Sequence, residues 1–425
     1  MSSNTDSDGA PVQVILRNRK ARPFFGRHPW VFDSAIQTVR QAAATNPGEE
    51  ANAAPSAEDT SEPAAGTPVE LRSSRDEFIA HGLWNPHSSI RVRLYSWDEA
   101  APVNAELLQQ RITDAVRLRE RLFDLKSESV GCRLIFSEAD GLSGLTVDRY
   151  GSFLLVQFTS LALYQYREVI TAKLQELLQP SGIWLRTEKG MREAEGLEAA
   201  DGLIAGSEPP RPLFIEEHGI RYGVDVQQGQ KTGCYLDQRD NRHAAARYLR
   251  GQVLDAFCFS GGFGITAAAG NSNVKVLGLD SSEAALNLAK ANAELNEVAD
   301  RCRYEKGEVK AKLKELSDQQ QTFDCVVLDP PRMARTRGGL NRAIKGYLKL
   351  NLAGVDVLKA NGILVTCSCS GLVSREAFRE MLADVARTSG RQIRILEQLG
   401  QPADHPVSAT CPETEYLKVL ICQVS

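Results

Sequence analysis

The sequence lacks several features that mark large classes of proteins. It has no run of about 20 apolar residues and no amino-terminal export pattern, so neither a membrane-spanning helix nor a signal peptide is predicted. It also lacks an excess of positive charge, because 50 lysine and arginine residues face 54 aspartate and glutamate residues and the formal net charge is −4. A basic field over the whole protein is excluded, whereas a local basic patch for nucleic acid is not.

Paired cysteine spacings are also lacking. The nine cysteines are scattered, as expected for free thiols in a reduced, cytoplasmic protein. Only Cys367 and Cys369 lie close together, and no histidine or second cysteine pair beside them completes a zinc-binding pattern. We therefore predict no metal site, and no membrane partner.

The chain of 425 residues predicts about three domains, at roughly 150 residues each. Short strand-like runs predict a small β-barrel in residues 1–95. Residues 41–68 interrupt it with almost no large apolar side chains, so we expect a disordered insertion there. Residues 100–225 mix helical and strand patterns and predict an α+β domain. Residues 226–425 alternate strands with helices, which predicts an α/β doubly wound sheet of seven strands whose last strand can be antiparallel.

A cluster of cations lies near the amino terminus, interleaved with aromatic residues that include Phe24, Phe25 and Trp30. Cations suit phosphates and rings suit base stacking, so the stretch can contact nucleic acid. The alternative is a solvated edge with a few core aromatics. The cations are Arg17, Arg19, Lys20, Arg22 and Arg27.

A glycine-rich loop, residues 255–264, joins the first strand of the third domain to a helix, and Asp280 ends the second strand. Glycine lets the backbone approach a ligand closely, and a carboxylate at that strand end can bind ribose hydroxyls. Residues 262–267 also fit the G-x-G-x-x-A dinucleotide pattern, so a nicotinamide enzyme is one alternative. Asp255 lies within the first strand, and an acid there suits the cationic S-adenosylmethionine better than a pyrophosphate.

Two further strand ends carry reactive groups. Asp329-Pro330-Pro331 follows the apolar run Phe323–Leu328, and Cys367 and Cys369 follow the run that begins at Gly362. A thiol and a carboxylate at one edge of the sheet indicate nucleophilic attack on a held substrate. Residues two apart in a strand share a face, so either cysteine can be the nucleophile. Small buried thiols in a core strand are the structural alternative.

Together these segments resemble the bacterial large-subunit rRNA cytosine-5 methyltransferases, which combine a PUA domain, an EEHD-type middle domain and a Rossmann-like methyltransferase domain. The resemblance extends over nearly the whole chain. It rests on segments 27–32, 138–142, 215–219, 231–233, 235–240, 329–331, 368–371 and 403–407, in this order.

The resemblance implies that residues 1–95 bind large-subunit rRNA, that S-adenosylmethionine is the cofactor, and that 5-methylcytosine forms through a covalent cysteine adduct. Cys369 matches the family's Ser-Cys-Ser-Gly context and is the candidate nucleophile, with Asp329 holding the base. Cys367 lies in a Thr-Cys-Ser string that other cytosine-5 methyltransferases also use. The implied cofactor-binding residues are Gln238, Arg239, Asp255, Phe257, Ser260, Gly261, Gly262, Asp280, Ser281, Glu308 and Asp329.

Two other functions stay open. One is a guanine-N or exocyclic-amine RNA methyltransferase that grips an amine with Asp329-Pro330-Pro331 and needs no cysteine. The other is a non-catalytic RNA-binding factor in ribosome assembly. The sequence also leaves the oligomeric state open, a homodimer included.

Overall fold

A computed structural model describes residues 11–41, 62–187, 190–227, 234–334 and 336–425. Most of the predicted insertion at 41–68 lies outside these residues, as does the segment 231–233. Residues 62–68 are described, and there the Gly66 amide donates to the Trp84 carbonyl at 2.9 Å. The prediction of disorder is therefore wrong for residues 62–68, the last part of the predicted insertion.

The first region is a β domain whose six described strands form one sheet in the order β2-β6-β5-β4-β1-β3. Its core contains the fully buried side chains of Val14, Leu16 and Leu71. One short helix, α1 (Arg22–Phe25), lies between the first two strands. The strands are β1 (Val12–Leu16), β2 (Trp30–Phe32), β3 (Ile36–Gln41), β4 (Pro68–Arg72), β5 (Phe78–Trp84) and β6 (Ile90–Ser96).

The middle region packs helices against a five-stranded sheet of order β11-β10-β9-β8-β7. Asn104 caps the first helix by accepting a hydrogen bond from the Leu107 amide, and Leu108 and Ile112 on its apolar face are fully buried. The helices are α2 (Ala105–Glu120), α3 (Leu161–Tyr164), α4 (Arg167–Leu178) and α5 (Met191–Glu195). The strands are β7 (Gly131–Phe136), β8 (Leu145–Tyr150), β9 (Phe153–Phe158), β10 (Gly182–Leu185) and β11 (Gly202–Gly206).

The third region is a doubly wound α/β domain, as predicted. Its seven described strands have the order β16-β15-β14-β17-β18-β20-β19, with the first five parallel and β20 antiparallel to both neighbours. The strands are β14 (Gln252–Ala256), β15 (Lys275–Asp280), β16 (Cys302–Lys306), β17 (Phe323–Leu328), β18 (Leu358–Ser368), β19 (Ile393–Leu399) and β20 (Lys418–Val424). The helices are α6 (Arg239–Ala246), α7 (Gly262–Gly270), α8 (Glu283–Leu295), α9 (Val309–Asp318), α10 (Leu340–Asp356) and α11 (Arg375–Ser389). Across the described parts of the chain, no helix is both long and apolar enough to span a membrane.

A hairpin of β12 (Leu213–Glu217) and β13 (Ile220–Val224) connects the middle region to this domain. The Gly223 amide donates to Asn292 on α8 at 2.8 Å, and the Tyr222 hydroxyl bonds to Thr266 on α7 at 2.8 Å. Glu217 forms a buried ion pair with Arg242 on α6. The hairpin therefore packs against helices of the third region, although the sequence places it at the end of the middle one.

Buried ion pairs join the first region to the middle one. Arg93 on β6 is 3.0 Å from Glu195, which also accepts a 2.9 Å hydrogen bond from Asn85. The indole N–H of Trp30 donates to Glu138 at 2.9 Å. The desolvation of these charged groups is offset by their ion pairs and hydrogen bonds. Because such contacts are directional, they fix how the two regions pack together.

A second buried cluster joins the middle region to the third and centres on Asp404. Its carboxylate accepts a 2.9 Å bond from Arg239 and a 3.0 Å bond from the Arg133 amide, and its carbonyl accepts one from Arg119 at 2.8 Å. Burial raises the pKa of Asp404, but His405 and Arg239 outweigh this and hold it well below its usual range. The carboxylate is thus charged and fully paired at neutral pH.

Candidate active site

The two predicted strand ends meet at the carboxyl edge of the sheet. Asp329 follows β17 directly and Cys369 follows β18 directly, and these two strands are neighbours in the sheet. The Cys369 sulfur lies 3.9 Å from the Pro330 carbonyl oxygen. Asp329 and Cys369 therefore lie at the same edge of the sheet on neighbouring strands, as strand order predicts.

The serines on either side of Cys369 anchor its loop. The Ser368 hydroxyl donates to the Tyr347 hydroxyl at 3.0 Å, and Ser370 bonds to the same tyrosine at 3.1 Å. Ser370 also accepts the amides of Met333 and Ala334 at 3.2 Å each. One serine side chain thus ties the cysteine loop to the loop that follows Asp329.

The two cysteines of the Cys-Ser-Cys segment have different surroundings. Cys367 is fully buried, and burial raises the pKa of its thiol well above the usual range, an effect that Asp329 adds to and a hydrogen bond with Gln238 opposes. Cys369 is partly exposed. A thiolate attacks only where a substrate can reach it, so the geometry favours Cys369 over Cys367.

Asp329 lies at the centre of a polar network. Its carboxylate accepts a 3.0 Å hydrogen bond from the Gln238 side chain, whose own oxygen accepts one from Asn241 at 2.7 Å. Burial raises the pKa of Asp329 to about 7, with further raising by Asp237 and Asp255. Near neutral pH this carboxyl group can therefore either accept or donate a hydrogen bond.

The glycine-rich loop approaches the strands closely. A Cβ atom on Gly264 would lie 2.6 Å from Val276 Cγ1, so α7 packs on the sheet only with glycine there. Phe257 and Phe259 take left-handed backbone conformations, with φ of 64° and 49°. Such conformations are costly for aromatic residues and are concentrated at ligand sites.

Two acids near the glycine-rich loop each keep one oxygen without a partner among the described residues. Asp255 is buried, and its Oδ2 accepts the Gly264 amide at 2.9 Å, but its Oδ1 has no partner among the described residues. Asp237 likewise bonds to Tyr416 through Oδ2 at 2.6 Å and leaves Oδ1 unpartnered within the described segments. Burial raises the pKa of Asp255 to about 7. Because an unpaired buried carboxylate is unfavourable, this pocket fits a ligand that carries positive charge, as S-adenosylmethionine does.

The other predicted cofactor residues divide into two groups. Asp280 ends β15, and its oxygens accept the amides of Phe259 at 3.1 Å and Ser282 at 2.8 Å, which orients it beside the loop. Two other predicted cofactor residues form contacts of a structural kind. Arg239 pairs with Asp404, and Glu308 caps α9 by accepting the Ala311 amide. Ser260, Gly261 and Gly262 form the loop itself, and Ser281 is exposed beside Asp280.

Sequence reasoning missed two polar residues of the site. Lys418 is buried at the start of β20, and Tyr235 packs edge-on against Phe259 with ring centroids 5.1 Å apart. The sequence contains a signal for Lys418, because it is the one lysine in the otherwise apolar run 417–422. Tyr235 begins the segment 235–240, on which the family resemblance rests, but no pattern marked it as a residue of the site.

The predicted RNA-binding cations form an exposed patch on and around α1. All five are exposed, as is Phe25 at 52%. Arg17 donates to the Ile36 carbonyl at 2.8 Å, and none of the five forms an ion pair with a described carboxylate. The patch consists of Arg17, Arg19, Lys20, Arg22 and Arg27.

One group of potential metal ligands lies away from the cleft, where the first and third regions touch. The ligand atoms of His28, Cys411 and Glu413 lie within 4.8 Å of one another. His28 Nδ1 accepts the Trp30 amide at 3.3 Å, so the neutral ring carries its hydrogen on Nε2, which lies 3.3 Å from Glu413. This arrangement is a hydrogen-bonded contact between regions, and the absence of a metal site stays a prediction.

Fold and site together define an S-adenosylmethionine-dependent methyltransferase with a PUA-like domain. A family model of the PUA-like domain matches residues 14–97, and one of a methyltransferase domain matches residues 250–404. A solved structure described as a SAM-dependent methyltransferase from Streptococcus mutans aligns with a TM-score of 0.78 at 19% identity, over 97% of this chain and 99% of that one. The nicotinamide alternative is therefore wrong.

The family follows from the curated relatives. The ribosomal RNA large subunit methyltransferase I of Tolumonas auensis is 38% identical over 96% of this chain and 98% of its own length. The protein of that name from Erwinia tasmaniensis is 36% identical over 97% of this chain and 99% of its own. The chain belongs to the ribosomal RNA large subunit methyltransferase I family.

Proposed function

We propose that this protein makes 5-methylcytosine in large-subunit rRNA through a covalent adduct with Cys369. The relatives' names supply the RNA class. The observation that carries the cytosine-5 chemistry is a partly exposed thiol at the carboxyl edge of the sheet. It lies 3.9 Å from the Pro330 carbonyl oxygen, at the end of the strand next to the one that Asp329 follows. An enzyme that methylates an exocyclic amine has no use for a thiol at that position.

Carbon 5 of cytosine is a weak nucleophile, and addition of the Cys369 thiolate to the ring makes it a stronger one. Its electron pair forms a bond to carbon 6, and the ring becomes an enamine whose electron density lies at carbon 5. Bound S-adenosylmethionine supplies an electrophilic methyl group on a sulfonium. After carbon 5 gains the methyl group, its proton leaves to a base, the double bond re-forms and the thiolate is expelled.

Asp329 holds the base during these steps. Its pKa of about 7 lets a protonated carboxyl group donate to ring nitrogen 3, where negative charge develops as the thiolate adds. Gln238 fixes the carboxyl orientation through its 3.0 Å hydrogen bond. Asp255, Asp237 and Asp280 would face the cofactor, since the first two keep unpartnered oxygens among the described residues.

RNA reaches the pocket only as an unstacked or single-stranded base. The exposed cations around α1 supply the phosphate contacts that position it. We keep the division into a PUA-like domain at 1–95, an EEHD-type domain at 100–225 and a methyltransferase domain at 226–425 as part of this proposal, together with a cytoplasmic location.

Product analysis tests the proposed function. Bacterial large-subunit rRNA lacking the modification is incubated with the protein and methyl-labelled cofactor, and its nucleosides are separated by mass spectrometry. We expect 5-methylcytidine from the wild type and from Cys367→Ala, and none from Cys369→Ala, whose cofactor affinity should stay near wild type. Label in an exocyclic-amine or guanine-N product would support that alternative. Cofactor binding without turnover on any RNA would support the assembly factor.

A further inference from the structure

A lysine is buried beside the candidate nucleophile. Lys418 opens β20, and its antiparallel partner across β18 is Ser368, the residue before Cys369. Only 2% of Lys418 is exposed. A lysine is almost never this buried unless its charge has partners, because removing an ammonium group from water is very unfavourable.

The partners of Lys418 are neutral. Its Nζ donates to the Ser370 carbonyl at 2.6 Å and to the Tyr416 carbonyl at 2.8 Å. An ammonium group has three donors, and carbonyl acceptors favour its charged form. Among the described residues no carboxylate oxygen lies within 4.0 Å of it. Within the described part of the chain, carbonyl dipoles hold this buried cation, and one of them belongs to Ser370, the residue after Cys369.

The other charges around Lys418 do not neutralise it. Glu415 acts on Lys418 electrostatically, but it is paired with Arg375 at 2.5 Å. Burial lowers the pKa of Lys418 to about 8, ionised Cys369 and Glu415 raise it, and Arg375 and Arg332 lower it further. Cys369 is therefore the larger of the two anionic influences.

Several other groups also act on Cys369. The hydroxyls of Tyr235, Tyr347 and Tyr416 all interact electrostatically with it, and Asp329 directly follows the neighbouring strand. An ionised Asp329 opposes formation of a second anion nearby. A cation behind the loop offsets that opposition.

We propose that Lys418 is a positioning residue that supplies the positive charge against which the Cys369 thiolate forms. Its use in catalysis rests on the proposed cytosine-5 function, but the ionisation of the thiol does not. The two carbonyl contacts also fix the ammonium group relative to the loop, so the charge acts at a constant place.

The test is the pH profile of Cys369 alkylation by iodoacetamide, without RNA. Trypsin releases residues 360–375, which carry both cysteines, and fragment masses assign the label. In the wild type we expect a midpoint below the value of about 8.5 of an ordinary thiol. Lys418→Met should raise the midpoint by about one unit or more, which is about tenfold less thiolate at a given lower pH. Lys418→Arg should stay near wild type.

Lys314, an exposed lysine on α9, provides the matched control, and Lys314→Met should leave the profile unchanged. A Lys418→Met profile equal to wild type, in protein that still binds S-adenosylmethionine, would overturn the proposal. If that variant does not fold, a wild-type midpoint at or above about 8.5 overturns it equally. A shifted profile with no 5-methylcytidine product would instead keep the lysine's role and remove the proposed function.

Discussion

Buried charges behave in opposite ways in two parts of this molecule. Where the middle region joins the third, the Asp404 carboxylate pairs with Arg239 through a direct contact. At the carboxyl edge of the sheet, Asp255 is buried just as completely but keeps an oxygen without a partner among the described residues. The desolvation of the carboxylate is therefore compensated by an ion pair at the junction. At the sheet edge, one oxygen of the desolvated carboxylate has no compensating partner among the described residues.

The pKa values follow this difference. At the junction, basic partners outweigh burial and hold the pKa of Asp404 well below its usual range. At the sheet edge, burial dominates and raises the pKa of both Asp255 and Asp329 to about 7. The charges of the junction are therefore stable without a ligand, whereas those of the sheet edge are stabilised when a cationic ligand or a proton binds.

Removing one partner at the junction should produce the largest change in stability. Asp404→Ala removes the buried carboxylate that pairs with Arg239 and leaves that cation only the weaker 3.4 Å contact with Asp240 as an ion pair among the described residues, so we expect a loss of about 3–5 kcal/mol in the free energy of unfolding. Chemical denaturation would measure it. The double variant Arg239→Met with Asp404→Leu is the control and should recover part of the loss. A single-variant loss below about 1 kcal/mol would show that the junction does not depend on this pair.

Removing the negative charge of Asp255 at the sheet edge should instead stabilise the cofactor-free protein. The folded-state pKa of Asp255, about 7, lies above its usual value of 3.8, so the folded protein binds this proton more tightly than the unfolded chain does. Wild-type stability therefore falls as pH rises from about 4 through 7. Asp255→Asn, which can still accept the Gly264 amide, should raise the melting temperature of the cofactor-free protein at pH 8, but not at pH 4. A lower melting temperature at pH 8 would contradict the comparison.

Cofactor affinity should depend on the same carboxyl group. A protonated Asp255 attracts a cation less well, so calorimetry should show S-adenosylmethionine affinity falling below pH 7, by up to about tenfold per unit. Asp255→Asn should bind weakly at every pH. An affinity that is flat between pH 6 and 8 in the wild type would place the cofactor's positive charge away from Asp255.

The smallest expected effect concerns exposed charges that form no ion pair with a described residue. Replacing Arg17, Arg19, Lys20 and Arg22 by alanine should weaken RNA binding and reduce its logarithmic salt slope by about 3, at roughly 0.7 per phosphate contact. Folding should be unaffected, since these side chains are exposed. Replacing the same number of exposed lysines on α9 and α10 is the control. An unchanged slope would place the RNA-binding face elsewhere.

The sequence predicts the third region well because its signals are local. The run Phe323–Leu328 is a strand with those bounds, and strand order alone brings Asp329 and Cys369 to one edge. Long-range pairing was not predictable. Arg239 stood in a polar run beside the glycine loop, yet its partner Asp404 is 165 residues away in the chain. Lys418 could be located by its apolar neighbours but its acceptors could not.

The covalent adduct tests the central claim most directly. RNA transcribed with 5-fluorocytidine should trap the protein, because fluorine cannot leave carbon 5 as a proton does. We predict a denaturation-resistant adduct with the wild type and with Cys367→Ala, none with Cys369→Ala, and a mass label on Cys369 in the peptide 360–375. An adduct on Cys367 would exchange the two roles. The absence of any adduct, with methylation still active in the double cysteine variant, would contradict covalent catalysis.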